Sequence, residues 1–563
     1  MVKNIFTLIF FSFSFSQNPN ATLTSDQIQK FGLKRFGDVL TYFRGIQTSS
    51  IDGFDIHSAH ITGNISFFID DEPITVDVFT SNTINRLPLI LTEVERIEFY
   101  SSPVVINGVV ASDGALLFYK KRNQNALSFS VESAIYNEVG DPGPYRYTEK
   151  YAPNVDHHGP DLNSYLNYNY DSLSISLSGQ FLEHRPLDER IQNTRDVPYS
   201  FSEWPDITMF QGNLDVRYKL KNHSFTAVSS HTLQDDFVHS YMEGWGFPEK
   251  EMTHTVKHHS VRGNSRVFQT NMQYGVQMYQ VESENETTVF SQSRYRSYLN
   301  ANWNEYTIFL ENNVSEYDTF DLNQRFTSSE IGLSYSEQRF LLTYFQGLGS
   351  QEKTMIGQLN YSNYTVDFSY QNKQSDRYEV LSKYRPWGNI FNVSLSKEYQ
   401  LNPFLSSFIK FGYYSNTKQL YIEKNAEKLN TQFKIYNTHT VLHSMSYRKK
   451  KYSLSSSVLW RSAIQTDVYE FPKYEIDMHA TYHPFSDISL ISRIIHYGKR
   501  ASVNRFTAID LGVMKTFWKK RGRVHLLIKN ALDQKIMTDP IGRTENLSFE
   551  MTLSLAFNGN SLF

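Results

Sequence analysis

Over most of this chain polar and apolar residues alternate one by one. Leu173, Ile175, Leu177, Gly179 and Phe181 alternate with serines and Gln180. Tyr364, Val366, Phe368 and Tyr370 alternate with Thr365, Asp367 and Ser369, and Tyr474 to Tyr482 and Leu547 to Phe557 repeat the pattern. Strand side chains point to opposite faces in turn, so each segment predicts a strand with one apolar and one polar face. These strands are numerous, about 9–12 residues long and without helices between them, which favours a closed barrel over a half-buried soluble sheet. At about 20 residues for a strand and its connection, residues 123–563 hold about 22 strands. Connection lengths add a second sign. Long gaps (Asn137–Asp161, Glu183–Asp206, Asp235–Lys257, 531–546) alternate with tight turns at Asp171-Ser172, Lys221-Asn222 and Trp518–Arg523. Membrane barrels have this asymmetry. Between about residues 260 and 450 most connections are short, and the alternation of long and short is lost there.

Before residue 123 the texture differs. Ile28, Phe31, Phe36, Val39 and Leu40 have helical spacing after a cap at Ser25, interrupted by Gly32. Short apolar strands follow at 65–70, 73–79, 94–100 and 115–121. This predicts an α/β unit of about 100 residues. Residues 1–16 have the form of an export signal: Lys3, an apolar run from Ile5 to Phe13, then Ser14-Phe15-Ser16. The expected division is a signal peptide (1–16), a small α/β domain (17–122) and a mainly β antiparallel transmembrane barrel (123–563).

Composition narrows the chemistry. The 563 residues include no cysteine, which excludes disulfides, thiolate metal sites and a cysteine nucleophile. A net charge of −3 argues against a nucleic-acid partner. No Walker loop, GxSxG, HExxH or dinucleotide fingerprint occurs, and no cofactor or enzymatic activity is expected. Asp70-Asp71-Glu72 is rich in carboxylates but falls in a turn between strands, with no sign of a cleft. Aromatic residues make up 15%, enough for girdles at two membrane interfaces.

Both ends of the chain resemble the TonB-dependent outer-membrane receptors. LTSDQIQKFGLKRFGDVLTYFRGIQT (23–48) is similar to the opening helical segment of the family's plug domain, with Arg44-Gly45-Ile46 at its Pro-Gly-Val step. SFFIDDEPI (66–74) resembles the Ile-Asp-Gly strand and turn, with Asp71 in place of Gly. VERIEFYSSPVVINGVVASDGALLFYKKR (94–122) resembles the most distinctive plug stretch through Glu95-Arg96-Ile97-Glu98, Pro103, Gly108, Gly114 and Lys120-Lys121. LLIKNALDQKI (526–536) and the alternating strand to Phe557 resemble the last hairpin. Four features depart from the family: Ser101-Ser102 for its Arg-Gly, Thr62-Gly63 for another Arg-Gly, only about six residues between Gln17 and Leu23 for a TonB-coupling arm, and six residues after Phe557 where the family's barrels usually end on the terminal aromatic.

The resemblance implies a Gram-negative outer-membrane location and a receptor that passes a scarce ligand, such as an iron chelate, cobalamin or a glycan, through a plugged barrel. It also implies a possible TonB partner, and Arg96 and Glu98 facing the barrel wall. Ligand groups concentrate on loops held by a rigid scaffold. Tyr145, Arg146, Tyr151, His157, Tyr241 and Trp245 are therefore the expected ligand-loop residues, suited to flat or anionic ligands. His254 and His258, four apart, lie about 13 Å apart on a strand, too far for one ion. The basic runs Arg448–Lys451 and Lys519–Arg523 could meet outer-membrane lipid or lipopolysaccharide. Two other readings stay open: a non-energised, porin-like or structural barrel, and a secreted soluble β-rich protein that binds glycans.

Overall fold

A computed structural model of the chain describes residues 21–558 apart from 34–35, 44–45, 52–53, 60–64, 75–86, 102–103, 112–113, 123–126, 140–154, 185–206, 239–249, 268, 286–287, 320–321, 338, 349–351, 374–386, 426–427, 463–471, 500–504, 520, 533–535, 538–543 and 546. The expected signal at 1–16 lies outside them.

The leading unit is a five-stranded sheet in the spatial order Ala21–Thr24, Val94–Tyr100, Ala115–Lys120, Ser66–Ile69, Glu72–Ile74. Ser66–Ile69 runs parallel to Ala115–Lys120, and the other pairs are antiparallel. Two short helices, Ser25–Lys30 and Phe36–Tyr42, pack their apolar side chains on it. Leu23, Ile28, Phe36, Val39, Phe43, Ile97 and Phe118 share one core. The first helix is capped by Thr24, one residue earlier than expected. Gln27 donates its amide to Thr24 Oγ1 at 3.4 Å, and Thr24 donates its own to Gln27 Oε1 at 2.9 Å, a reciprocal box that Ser25 is placed too late to make. The helix stops where Gly32 takes a φ of +64°.

Twenty-two antiparallel strands then form a closed barrel, from Leu127–Val139 to Leu547–Asn558, with the last strand paired to the first. At one end every connection is short: 171–172, 220–222, 268–269, 304–305, 338–339, 362–363, 403–404, 450–451, 483–487 and 518–521. At the other end connections run from two residues (286–287) to the stretch 185–206. The alternation therefore continues through the middle of the chain. It is hidden in the sequence because the far-end connections there (286–287, 320–321, 426–427) are as short as the turns. In that sector the strands themselves project instead. Leu405–Asn425 has 21 residues and Lys428–Lys449 has 22.

The barrel is inverted relative to a soluble protein. In Ile207–Lys219, Gln211, Asn213 and Asp215 are each about 4% exposed, whereas Phe210 and Leu214 are 55% and 38% exposed. Leu177, Val276, Leu333, Leu454, Leu526 and Met551 repeat the outward apolar pattern on other strands. Such a belt is stable only in hydrocarbon, where closure also leaves no unpaired backbone edge. Aromatic side chains crowd the short-turn rim. Tyr170, Tyr218, Trp303, Tyr306, Tyr361, Tyr364, Tyr452, Tyr482 and Trp518 are all exposed there, and Tyr452 stacks on Tyr482 at 4.9 Å. This is one interfacial girdle.

Candidate functional site: the contact between plug and wall

The hairpin of Ser66–Ile69 and Glu72–Ile74 turns on Asp70 and Asp71, both with positive φ (48° and 67°). A two-residue turn of this hand suits Asn, Asp and Gly. Asp71 can therefore stand where the resembling family has glycine. The turn carries its carboxylates to the inner wall. Asp70 meets Arg217 Nη2 at 2.8 Å and Arg262 Nη2 at 3.7 Å, and its backbone oxygen accepts from Arg262 Nη1 at 2.8 Å. Glu72 accepts from Gln277 Nε2 at 2.8 Å and from the Tyr298 hydroxyl, and Arg296 lies 3.5 Å away. Arg296 is also held by Glu311 at 2.9 Å. All of these wall groups sit at inward positions of their strands.

A second group of contacts forms around Glu93, which ends the short 3₁₀ turn Leu91–Glu93. Glu93 accepts from Asn213 Nδ2 at 3.1 Å and from Ser178 Oγ, and it pairs with Lys120 at 3.3 Å. Lys120 also faces Asp215 of the wall at 3.6 Å. Burial opposes the charge on Lys120, but Glu93, Asp215 and Asp70 outweigh it and hold its pKa above the ordinary lysine value. Asp71 differs. Burial raises its pKa, although Tyr119 donates a hydrogen bond to it at 3.0 Å.

Glycine makes two of these contacts possible. Tyr298 lies across Gly275, its cross-strand partner, and a Cβ at Gly275 would come within 2.7 Å of the ring. Without that Cβ the ring lies flat and its hydroxyl reaches Glu72. Gly108 has a φ of +82°, and an added Cβ would clash with the Phe309 ring. The preceding Asn107 is gripped by Asn300 Nδ2 at 2.8 Å and 3.0 Å.

On the opposite wall the contact is aromatic. His479 packs against both Phe31 and Tyr42, with ring centroids 4.3 Å and 5.0 Å away, and those two rings stack on each other at 5.5 Å. Asp477 accepts from Arg493 and holds His479 Nε2 at 3.1 Å. Arg523 donates to Gln29.

Arg96 and Glu98, expected at the wall, bond to each other at 2.8 Å, with Arg96 stacked 3.7 Å from the Tyr119 ring centre and Glu98 accepting from Tyr100. These contacts lie within the plug. Among the described residues, the ion pairs that cross to the wall fall on Asp70, Glu72 and Lys120. Of the expected ligand-loop residues, Tyr145, Arg146, Tyr151, Tyr241 and Trp245 lie outside the described residues. The backbone of His157 is in the strand Val155–Tyr170 opposite Asn137, but its side chain is outside the description. His254 and His258 face the lumen on one strand, buried, and His254 Nδ1 is 2.7 Å from Ser283 Oγ.

Nothing in the local sequence of the 70–72 turn marks it as a site. The signal lies on the partner strands: Arg217, Arg262 and Arg296 are cations at positions whose alternation points them inward.

Buried charge pairs of this kind contribute little net stability, because desolvation offsets attraction, yet removing one partner costs about 3–5 kcal/mol. Around the acidic turn and Glu93 the plug is thus held by contacts that water can replace, and its apolar core includes no residue of the wall.

No protein-family model matches the chain, and no curated protein matches it. Solved structures do. A mutant of the ferric enterobactin receptor PfeA from Pseudomonas aeruginosa aligns over 95% of this chain and 98% of its own, with a TM-score of 0.71 at 10% identity. The siderophore receptor PirA from Acinetobacter baumannii aligns over 95% and 98%, with a TM-score of 0.69 at 11% identity. The FrpB iron transporter from Neisseria meningitidis aligns over 97% and 99%, with a TM-score of 0.68 at 8% identity. With its closed 22-stranded barrel and its small α/β unit bonded to the inner wall, the chain has the fold of the TonB-dependent outer-membrane receptors.

Proposed function

We propose that this protein is an outer-membrane receptor that captures a ferric chelate at the cell surface and admits it through a plugged barrel. The observation that carries the reading is the polar grip on the plug. A permanent stopper gains most from apolar packing, whereas Asp70, Glu72, Glu93 and Lys120 meet the wall through ion pairs and hydrogen bonds that water can take over. The chemistry of the ligand is proposed from the similar structures, whose names refer to siderophores, ferric enterobactin and iron. The strand ends that flank the long connections 140–154, 185–206 and 239–249 lie at the end away from the short turns, where a surface ligand would arrive. Release of the plug would draw on TonB.

The test is growth of a deletion strain under iron limitation on a panel of ferric chelates. The reading expects loss of growth on at least one chelate, restored by the intact gene and abolished again when TonB is removed. Growth unchanged on every chelate, together with uptake of small solutes that rises linearly with concentration and ignores TonB, would favour a porin-like barrel instead.

A further inference from the structure

The outer wall carries a groove that the uptake reading does not use. Its cavity is about 1260 Å³ and its lining is almost wholly apolar. One wall is a hydrogen-bonded row across neighbouring strands, Tyr482, Leu490, Val513, Leu526, Met551 and Ile135, all exposed and outward. The next row contains Ala480 paired with Ser492, two small outward residues flanked by Leu454 and Leu511. The dent at Ala480 and Ser492 deepens the surface between bulky neighbours. Barrel strands tilt by about 35–45°, so a row perpendicular to them climbs the wall obliquely from the rim toward the bilayer centre. The groove therefore starts at the aromatic girdle and runs into the hydrocarbon zone.

Its rim end is basic. Lys449 is the cross-strand partner of Tyr452, which lines the groove, and Arg448, Lys449, Lys450 and Lys451 are all exposed. The Lys451 carbonyl accepts from the backbone of His483, beside Tyr482, which fixes the basic turn against the groove mouth. On the other flank exposed Lys515 pairs with Ile488, and Lys519 follows at the next turn. Asp487 is the one carboxylate in the three turn sequences YRKKKYS, HPFSDIS and KTFWKKRGR.

We propose that this groove binds an anionic glycerophospholipid of the periplasmic leaflet, its acyl chain lying over Ala480 and Ser492 and its phosphate at Lys449–Lys451. The charge at the mouth selects the headgroup, and the apolar, dented wall immobilises the chain. Short turns mark the periplasmic side of such barrels, so the occupant comes from that leaflet and not from lipopolysaccharide.

The full-length protein, purified in detergent and mixed with phosphatidylglycerol or phosphatidylethanolamine, would be examined by native mass spectrometry. Phosphatidylglycerol should remain bound as a discrete adduct at least fivefold more than phosphatidylethanolamine. The triple variant Lys449→Gln, Lys450→Gln, Lys451→Gln should erase that preference. The double variant Ala480→Leu, Ser492→Leu, which fills the dent and leaves the charges, should lose the adduct itself, and heat-modifiable gel migration would verify that both variants fold. Equal retention of the two lipids, retention unchanged in both variants, or a dimer that disappears when the dent is filled would each overturn the proposal.

Discussion

Glu72 concentrates the site's chemistry in one side chain. It is buried, accepts from Gln277 and Tyr298, and neighbours Arg262 and Arg296. Glu72→Ala strands part of that positive charge. Because Arg296 keeps Glu311, the cost should be ~3 kcal/mol, the low end for breaking a buried pair. The urea midpoint at which the plug opens to trypsin should fall accordingly. Lys120 sets the pH behaviour. Its pKa is raised on folding, so its contribution is complete below the unfolded lysine value and is lost only as pH rises through the folded one. Protease resistance of the plug should owe no pH dependence to this group from about pH 6 to 9, and its loss above about pH 10 should be smaller in Lys120→Met. These roles were poorly legible in the sequence. Arg96 and Glu98 stood in the distinctive plug stretch and drew the expectation of wall contact, yet a two-residue spacing on one strand face lets them satisfy each other. Glu72 looked like a turn residue because its partners lie about two hundred positions away.

At the level of elements, alternation revealed the strands and hid their ends. Both ends of the gap expected at Asp235–Lys257, about half of it, are strand, since His223–Val238 and Lys250–Val267 extend into it. Polar residues at a wet barrel end continue a strand as readily as they form a loop. Backbone conformation at the turns can be tested directly. Asp71 sits at φ 67°, a region that β-branched residues avoid, so Asp71→Val should destabilise the plug by about 1–2 kcal/mol while Asp71→Gly is tolerated. Gly275 is a separate case of close approach. Gly275→Val forces the Tyr298 ring away from Glu72 and should cost about 1–3 kcal/mol through overpacking, read as earlier trypsin cleavage of the plug with the barrel's heat-modifiable migration retained.

For the whole molecule, the strand number and the α/β leader were legible because both follow from local periodicity and from length. The way the two fit together was not, since it depends on long-range ion pairs with no local pattern. The assembly is a cylinder with an apolar outside and a polar lumen, closed by a unit whose own core is separate from the wall. A lumen of 22 strands is wide enough to conduct unless it is filled. Conductance of the full-length chain in a planar bilayer therefore tests the central claim most directly. The inserted protein should be silent at rest, and neutralising the acidic turn with Asp70→Asn and Glu72→Gln should give current steps at a urea concentration that leaves the unaltered protein closed. Open-pore steps from the unaltered chain, or identical behaviour of the two proteins across the urea range, would contradict the account.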